Sequence, residues 1–165
     1  MAITYEPIAT TTLSSAATVT FSSIPGTYTD LVLISSAKNS SGSGGTYQIV
    51  INSDTGSNYS ATYMQGTGAG ANSGRFTNNS VAYTSRSADP SGSEFAPGIV
   101  HFIDYSNTTT FKTLLSRGNE ASATTIAFVN LWRSTSAITS INIQQPGGGN
   151  FAAGSTFTLY GIKEA

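Results

Sequence analysis

Apolar side chains recur at every second position in many short segments, and this alternation most limits what the chain can fold into. Residues 17–21 alternate small or apolar side chains with hydroxyls, and residues 156–162 place Phe157 and Leu159 on one face. A period of two is typical of strands with one buried face. No stretch of ten residues keeps a helical period. The alternation therefore predicts an all-β chain.

Glycine- and proline-containing turns separate these segments, as Pro25-Gly26 does after the first one. Further strands are predicted at 31–34, 47–51, 59–64, 99–105, 111–117, 126–132 and 138–143, with loops at 39–45, 66–74, 88–98 and 146–150. Many short strands joined by such turns are typical of a sandwich or barrel. We predict an antiparallel β-sandwich, jelly-roll-like, with an immunoglobulin-like sandwich as the alternative.

The run Leu31-Val32-Leu33-Ile34 departs from the alternation, because all four side chains are apolar. A short continuous apolar run is typical of a strand that is buried on both faces. We therefore expect this strand to be covered on both sides.

The length of 165 residues predicts a single domain over 1–165, with 1–16 as an extended N-terminal arm. The chain has no cysteine, which excludes disulfides and thiolate metal sites. Only 9% of residues are charged and the net charge is −1, so a nucleic-acid partner is not expected. No apolar run approaches the roughly 18 residues of a membrane helix, and no signal peptide is visible, so membrane insertion is not expected either.

Residues suited to catalysis are few and scattered. The single histidine, His101, lies in an apolar strand, and we interpret it as a hydrogen-bonded structural residue. The eight carboxylates are isolated in sequence, and no Gly-x-Ser-x-Gly motif occurs. The segment 54–58 resembles part of a calcium loop, but a turn with Asx hydrogen bonds is the preferred interpretation. We predict no enzyme activity, no catalytic residues, no metal and no cofactor.

Aromatic residues supply the candidate contact sites. Tyrosines offer contact area at low entropic cost, which suits sugar stacking or subunit contact. Tryptophan and arginine are frequent at interface hot spots. The candidate residues are Tyr59, Tyr63, Tyr83, Trp132 and Arg133. The alternatives are amphipathic strand tyrosines at the rim of the core and a core tryptophan.

Several segments resemble a β-rich virion module of tailed bacteriophages. The resembling segments are 5–20, 54–60, 103–108, 112–113, 131–141 and 151–163, of which the closing "GSTFTLYGIK" is the most specific. The resemblance implies a virion location after release by host lysis, and carries no catalytic residues. It implies roles in capsid decoration, tail fibres or adhesion.

Capsid decoration is the preferred role, because no fibre shaft precedes the module. We expect a cement subunit that bridges neighbouring capsid subunits, with the major capsid protein or other virion proteins as partners. We also expect a homo-oligomer, with a trimer favoured. The alternative is a tail-fibre or receptor-binding adhesin that recognises a host-surface glycan.

Overall fold

A computed structural model describes residues 5–42, 44–120 and 124–163. These residues form twelve strands and one short 3-10 turn at Pro146–Gly148. The strands are β1 (Tyr5–Thr12), β2 (Val19–Phe21), β3 (Asp30–Ala37), β4 (Gly45–Ile51), β5 (Tyr59–Gly66), β6 (Ala71–Asn79), β7 (Ala82–Ser87), β8 (Ala96–Ile103), β9 (Lys112–Glu120), β10 (Thr124–Trp132), β11 (Ile141–Gln144) and β12 (Thr156–Ile162).

The strands form two antiparallel sheets of unequal size. The large sheet has eight strands in the order β1-β12-β3-β8-β9-β10-β5-β6, and the small sheet has four in the order β2-β11-β4-β7. The sheets pack face to face, so the predicted all-β antiparallel sandwich is confirmed. No helix among the described residues has the length and apolarity needed to cross a bilayer.

One apolar core fills the space between the sheets. Its centre is an aromatic group in which Phe151 and Phe157 lie 4.8 Å apart and Tyr47 meets both rings edge-on. All three side chains are fully buried. The Tyr47 hydroxyl and the Ser35 hydroxyl share a hydrogen bond of 2.9 Å, which satisfies the polar tip of the tyrosine inside the core.

Two glycines let the sheets approach each other closely at one end of this core. A Cβ at Gly118 would lie 1.8 Å from Oγ of Ser85, and a Cβ at Gly98 would lie 2.2 Å from the same atom. Gly98 and Gly118 are direct partners on β8 and β9, and Ser85 belongs to the small sheet. Only residues without a side chain fit opposite this serine.

The structure differs from the sequence predictions in several segments. Strand β7 was not predicted, and the strand predicted at 138–143 begins only at Ile141. Residues 5–12 form edge strand β1, paired with β12, where we predicted part of an arm; residues 1–4 lie outside the described residues. The loop predicted at 66–74 gives way to β6 from Ala71 onward, and the loop predicted at 88–98 ends at β8. Strands β1 and β6 are largely polar and lie at the two edges of the large sheet, so they carry little apolar alternation. Strand β8 begins with Ala96, Pro97 and Gly98, and proline and glycine are typical of loops.

Candidate interaction surface

The outer face of the large sheet exposes aliphatic side chains across five adjacent strands. The exposed members are Ile34 on β3, Ile103 on β8, Leu115 on β9, Val129 on β10 and Met64 on β5. Met64 is 68% exposed and Val129 is 53% exposed. The largest apolar patch on a typical monomer covers roughly 300–600 Å² and is often functional, so this aliphatic set marks a candidate contact surface.

Strand register places these side chains side by side. Leu115 is the direct partner of Val129 and of His101, and Val129 is the partner of Thr62. One row further along the strands, Arg117 is the partner of Ala127. The rows run across the sheet and bring these side chains onto one surface, interrupted by His101 and Arg117, that we call the outer apolar face.

A shallow depression of about 500 Å³ lies on the outer apolar face. Val32, Ile99, Leu115 and Val129 line it, together with Met64. A second depression of about 770 Å³ continues from it toward β6 and shares Met64, Arg117 and Ala127 with it. The outer apolar face is therefore uneven, with two depressions that share three residues.

Charged groups lie at one edge of this face and within it. Arg75 on edge strand β6 and Arg117 on β9, in the middle of the face, are exposed, and neither guanidinium group has an ion pair or hydrogen bond to a described residue. On β8, next to β9, His101 Nε2 lies 2.9 Å from Asp30 Oδ2, and Asp30 Oδ1 accepts a 2.7 Å hydrogen bond from the Asp104 amide. The histidine is hydrogen-bonded, as the sequence interpretation proposed.

Two of the predicted contact residues are instead core residues. Tyr59 is 0% exposed, Trp132 is 2% exposed, and their rings stack 6.4 Å apart. Trp132 Nε1 donates a 2.7 Å hydrogen bond to Asp54 Oδ2, and the Tyr59 hydroxyl donates one of 3.0 Å to the Asp54 carbonyl. These two aromatic residues hold the loop between β4 and β5 in place through hydrogen bonds to Asp54. Trp132 is therefore a core residue, which was the alternative interpretation of the sequence.

The Asp54 carboxylate organises this loop. Its Oδ1 accepts hydrogen bonds from the Gly56 amide at 2.9 Å and from Asn58 Nδ2 at 3.1 Å, which is the Asx turn expected from the sequence. Burial alone would raise the pKa of Asp54, but the hydrogen bonds from Trp132, Asn58 and Gly56 outweigh it and hold that pKa below its ordinary value. No group of three potential metal ligands occurs among His, Asp and Glu in the described residues.

Arg133 reinforces the same loop from the surface. Its Nη2 donates to the Ser57 carbonyl at 2.6 Å and to Asn78 Oδ1 at 3.2 Å. Asn52 completes the connection, because its Nδ2 donates to the Ala137 carbonyl at 2.7 Å. Two segments on which the phage resemblance rests, 54–60 and 131–141, therefore meet in one structural joint between the sheets.

The remaining candidates, Tyr63 and Tyr83, belong to a small aromatic cluster near the β5–β6 edge. Tyr63 stacks on Phe76 at 5.5 Å, and Phe76 lies 4.8 Å from Tyr83. Both tyrosines are half-buried. Tyr63 lies against Gly74, where a Cβ would approach the ring to 2.7 Å. This cluster is the one place where the predicted tyrosines come together near the surface.

Lys112 is the most buried charged side chain among the described residues. Its Nζ donates to the carbonyls of Thr110 at 2.7 Å and Thr135 at 3.3 Å. Burial lowers its pKa, although the nearby Asp104 carboxylate acts in the opposite direction. We interpret this lysine as a tie between two loops.

Sequence reasoning missed the outer apolar face, although a signal was present. Val32 and Ile34 alternate with Leu31 and Leu33, and the latter pair fill the core. The same doubling occurs on β8, where Ile99 and Ile103 face outward. In the sequence, strands β3 and β8 are recognisable because apolar residues occupy both the inward and the outward positions.

Comparisons with known proteins do not assign this chain to a family. A scan against models of protein families finds no match to this chain, and a search of curated proteins finds no significant match.

Proposed function

We propose that this protein is a structural subunit of a tailed-bacteriophage particle, and most specifically a capsid decoration protein that bridges neighbouring capsid subunits. The outer apolar face carries the proposal. Strands β3 and β8 have the composition of strands covered on both sides, yet Ile34 and Ile103 on their outer side are 45% and 36% exposed. A surface of this kind is covered in an assembly.

Coverage of the outer apolar face gives a direct stabilising mechanism. Each of its exposed aliphatic side chains adds about 1–2 kcal/mol to the free energy of binding when a partner removes it from water. A subunit that binds only the assembled shell shifts the equilibrium toward that shell by mass action. The decoration subunit thereby raises the resistance of the particle to heat and osmotic shock.

The low charge of the chain supports a role with many copies in close proximity. Only 9% of its residues are charged and its net charge is −1. Large net charge would make neighbouring copies repel each other. The phage resemblance of the segment 154–163, most of which is β12 between β1 and β3, points to the same setting.

Purified particles provide the test. We expect the protein at a copy number comparable to that of the major capsid protein, and we expect particles that lack it to lose their genome at a lower temperature. Adding back the wild-type protein restores the release temperature, whereas adding back Leu115→Lys does not. Thr20→Lys, on the exposed small-sheet strand β2, is the matched control and restores it. A copy number of a few per particle, or unchanged release without the protein, contradicts the proposal.

A second candidate function, a glycan-binding adhesin, is favoured by the aromatic cluster of Tyr63, Phe76 and Tyr83. These rings are partly buried, and the accessible part of an aromatic ring can stack on a sugar face. A glycan array with the wild-type chain tests it. Binding that Tyr83→Ala abolishes and Tyr5→Ala leaves unchanged supports the adhesin, because Tyr5 is an exposed tyrosine outside the cluster. No bound glycan excludes it.

A further inference from the structure

We propose that the outer edge of strand β6 pairs with the same edge of a second copy of this chain, with the two β6 strands antiparallel and centred on Ser73. This edge is separate from the outer apolar face, and the inference is independent of the role in a particle. Three observations support it: β6 is less protected than the other edge strands, its outward backbone groups are self-complementary, and Arg75 fits a depression on the second copy.

The four edge strands of the two sheets differ in how far they are protected from pairing. Strand β1 contains Pro7, which has no backbone donor, and a register shift follows it. Strand β2 has only three residues, and every residue of β7 is buried or half-buried. Strand β6 has nine residues and no proline, most of its side chains are exposed, and its pairing with β5 is regular over residues 71–76. Among the edges that the structure describes, β6 is therefore the one open to a further strand.

The β5–β6 hairpin determines which backbone groups of β6 point away from the sheet. The Thr67 amide donates a 2.9 Å hydrogen bond to the Gly70 carbonyl, so the pair that follows, with Ala71 on β6, is of the non-hydrogen-bonded type. The two types of pair alternate along an antiparallel ladder. The amide and carbonyl groups of Ala71, Ser73 and Arg75 therefore point outward, and no described residue forms a hydrogen bond with them.

These three residues are spaced evenly about Ser73, so two antiparallel β6 strands match each other. Ser73 pairs with Ser73 of the second copy, and Ala71 of each copy pairs with Arg75 of the other. Each of these pairs exchanges two hydrogen bonds, which gives about six across the contact. A centre shifted along the strand uses fewer of the outward groups. The arrangement has a two-fold axis through its centre, so it closes as a dimer.

The side chain of Arg75 has room in this dimer. Arg75 lies on the outer side of the sheet, because its neighbour Phe76 packs inward against Tyr83 of the small sheet. In the second copy Arg75 meets Ala71, whose partner on β5 is Gly66. Both small residues line the depression of about 770 Å³. The aliphatic stem of each arginine therefore lies over Ala71 and Gly66 of the other copy.

Like charges stay apart across this contact. Each Arg75 lies four residues along the paired strands from its counterpart, or roughly 14 Å away. Arg117, which also lines the depression, lies two strands and one row of the sheet from Gly66, or roughly 12 Å. Both distances exceed the screening length of about 8 Å at physiological ionic strength. Repulsion between arginines therefore opposes the dimer only weakly.

The size of the contact predicts its strength. The paired segment of five residues is roughly 17 Å long. It is therefore narrower than a standard interface, which buries about 800 Å² per partner. We expect a reversible dimer that forms at high protein concentration.

Sedimentation equilibrium of the full chain over a wide concentration range measures the association. We expect Ser73→Pro to weaken it by about tenfold or more, because this variant removes the outward amide at the centre and no donor to β5. Ser73→Ala keeps the backbone and is the matched control. Leu115→Lys, on the outer apolar face, also leaves the association unchanged. Circular dichroism verifies that each variant is folded. A wild type that is monomeric at every concentration overturns the second copy as the partner of this edge.

Charge substitutions at Ala71 test the register. Ala71→Glu places a carboxylate opposite Arg75 of the other copy, and we expect it to tighten the dimer by about threefold or more. Ala71→Lys places an ammonium group there and weakens the dimer by a similar factor. Asn72→Glu, on the opposite side of the same strand, is the control and changes the association little. Equal effects of glutamate and lysine at position 71 overturn the register.

Cross-linking tests the centre of the dimer directly, because the chain has no cysteine of its own. Hydrogen-bonded antiparallel pairs have Cα atoms about 5.5 Å apart, within the range that a disulfide spans. We expect Ser73→Cys to form a disulfide-linked dimer under mild oxidation. Thr77→Cys is exposed on the same strand but lies roughly 27 Å from its counterpart, so it is the matched control. Equal yields of linked dimer from the two variants overturn the proposed pairing.

Discussion

The two sheets of this sandwich have opposite outer faces. The outer side of the small sheet is mostly polar: Thr20, Thr46, Asn142 and Gln144 are exposed or partly exposed there, whereas Gln48 and Val50 on the same side are buried. Its apolar residues, such as Ile49 and Ile143, face the core. This is the pattern of an antiparallel sheet with one solvated face. The large sheet carries aliphatic residues on both faces, so burial between the sheets accounts for only part of its apolar residues.

The inner faces should behave alike, and truncating them gives the largest effects. Phe157→Ala on the large sheet and Ile49→Ala on the small sheet each remove a fully buried side chain. We expect losses of about 3–5 and 2–5 kcal/mol in the free energy of unfolding. Urea denaturation measures both. A loss below about 1 kcal/mol for either variant would show that the core lies elsewhere.

The next largest effect on the free energy of unfolding is expected where the two sheets approach each other closely. Gly118→Ala would place a methyl group against Ser85 on the inner face, and we expect it to cost about 3 kcal/mol. Gly66→Ala, in the same large sheet, meets no atom within 4 Å and should change stability by no more than about 0.5 kcal/mol. Ser85→Ala removes the hydroxyl nearest to Gly118, so it should reduce the cost of Gly118→Ala. Equal costs for the two glycine variants would contradict this contact.

Acid should weaken the joint between the sheets. The folded state holds the pKa of Asp54 below its ordinary value of 3.8, so its carboxylate stabilises the fold above that pH. The contribution is lost as the pH falls through the lowered value. We expect Asp54→Asn to cost about 2 kcal/mol at neutral pH, since Trp132 and Asn58 lose a charged acceptor, and to flatten the acid limb of the stability curve. Denaturation series between neutral and acidic pH measure this, and an unchanged acid limb would assign the dependence to other carboxylates.

The sequence predicted the class of fold because the alternation of side chains reports directly on strands. The segments 47–51, 59–64 and 156–162 agree with β4, β5 and β12 within two residues at each end. Strands β1, β6 and β7 were missed. Residues 71–79 hold one aromatic residue among small and polar ones, since an edge strand needs little apolar surface. Its pairing with β5 depends on the rest of the sheet.

The candidate surface was harder to predict than the fold. Tyrosine and tryptophan drew attention because they are frequent at interfaces, yet Tyr59 and Trp132 serve the joint at Asp54. Sequence spacing does not reveal that the loop between β4 and β5 folds back onto β10. The outer apolar face left its signal in the run Leu31–Ile34, which predicted cover on both sides; Ile34 is 45% exposed. The mismatch between that pattern and the exposure identified the surface.

The smallest expected change in stability comes from substitutions on the outer faces, and it compares the large sheet with the small sheet. Leu115→Lys and Thr20→Lys both replace an exposed outward residue, so in dilute solution each should change the free energy of unfolding by about 0.5 kcal/mol or less. Contact of the outer apolar face with another copy of the chain would make the two diverge at high concentration, because association stabilises the folded state by mass action. Thermal unfolding over a concentration series measures this. In that case the wild type and Thr20→Lys gain stability with concentration while Leu115→Lys does not. If the stability of all three chains shows the same dependence on concentration, the aliphatic outer face is exposed in solution at every concentration. A different protein must then cover it.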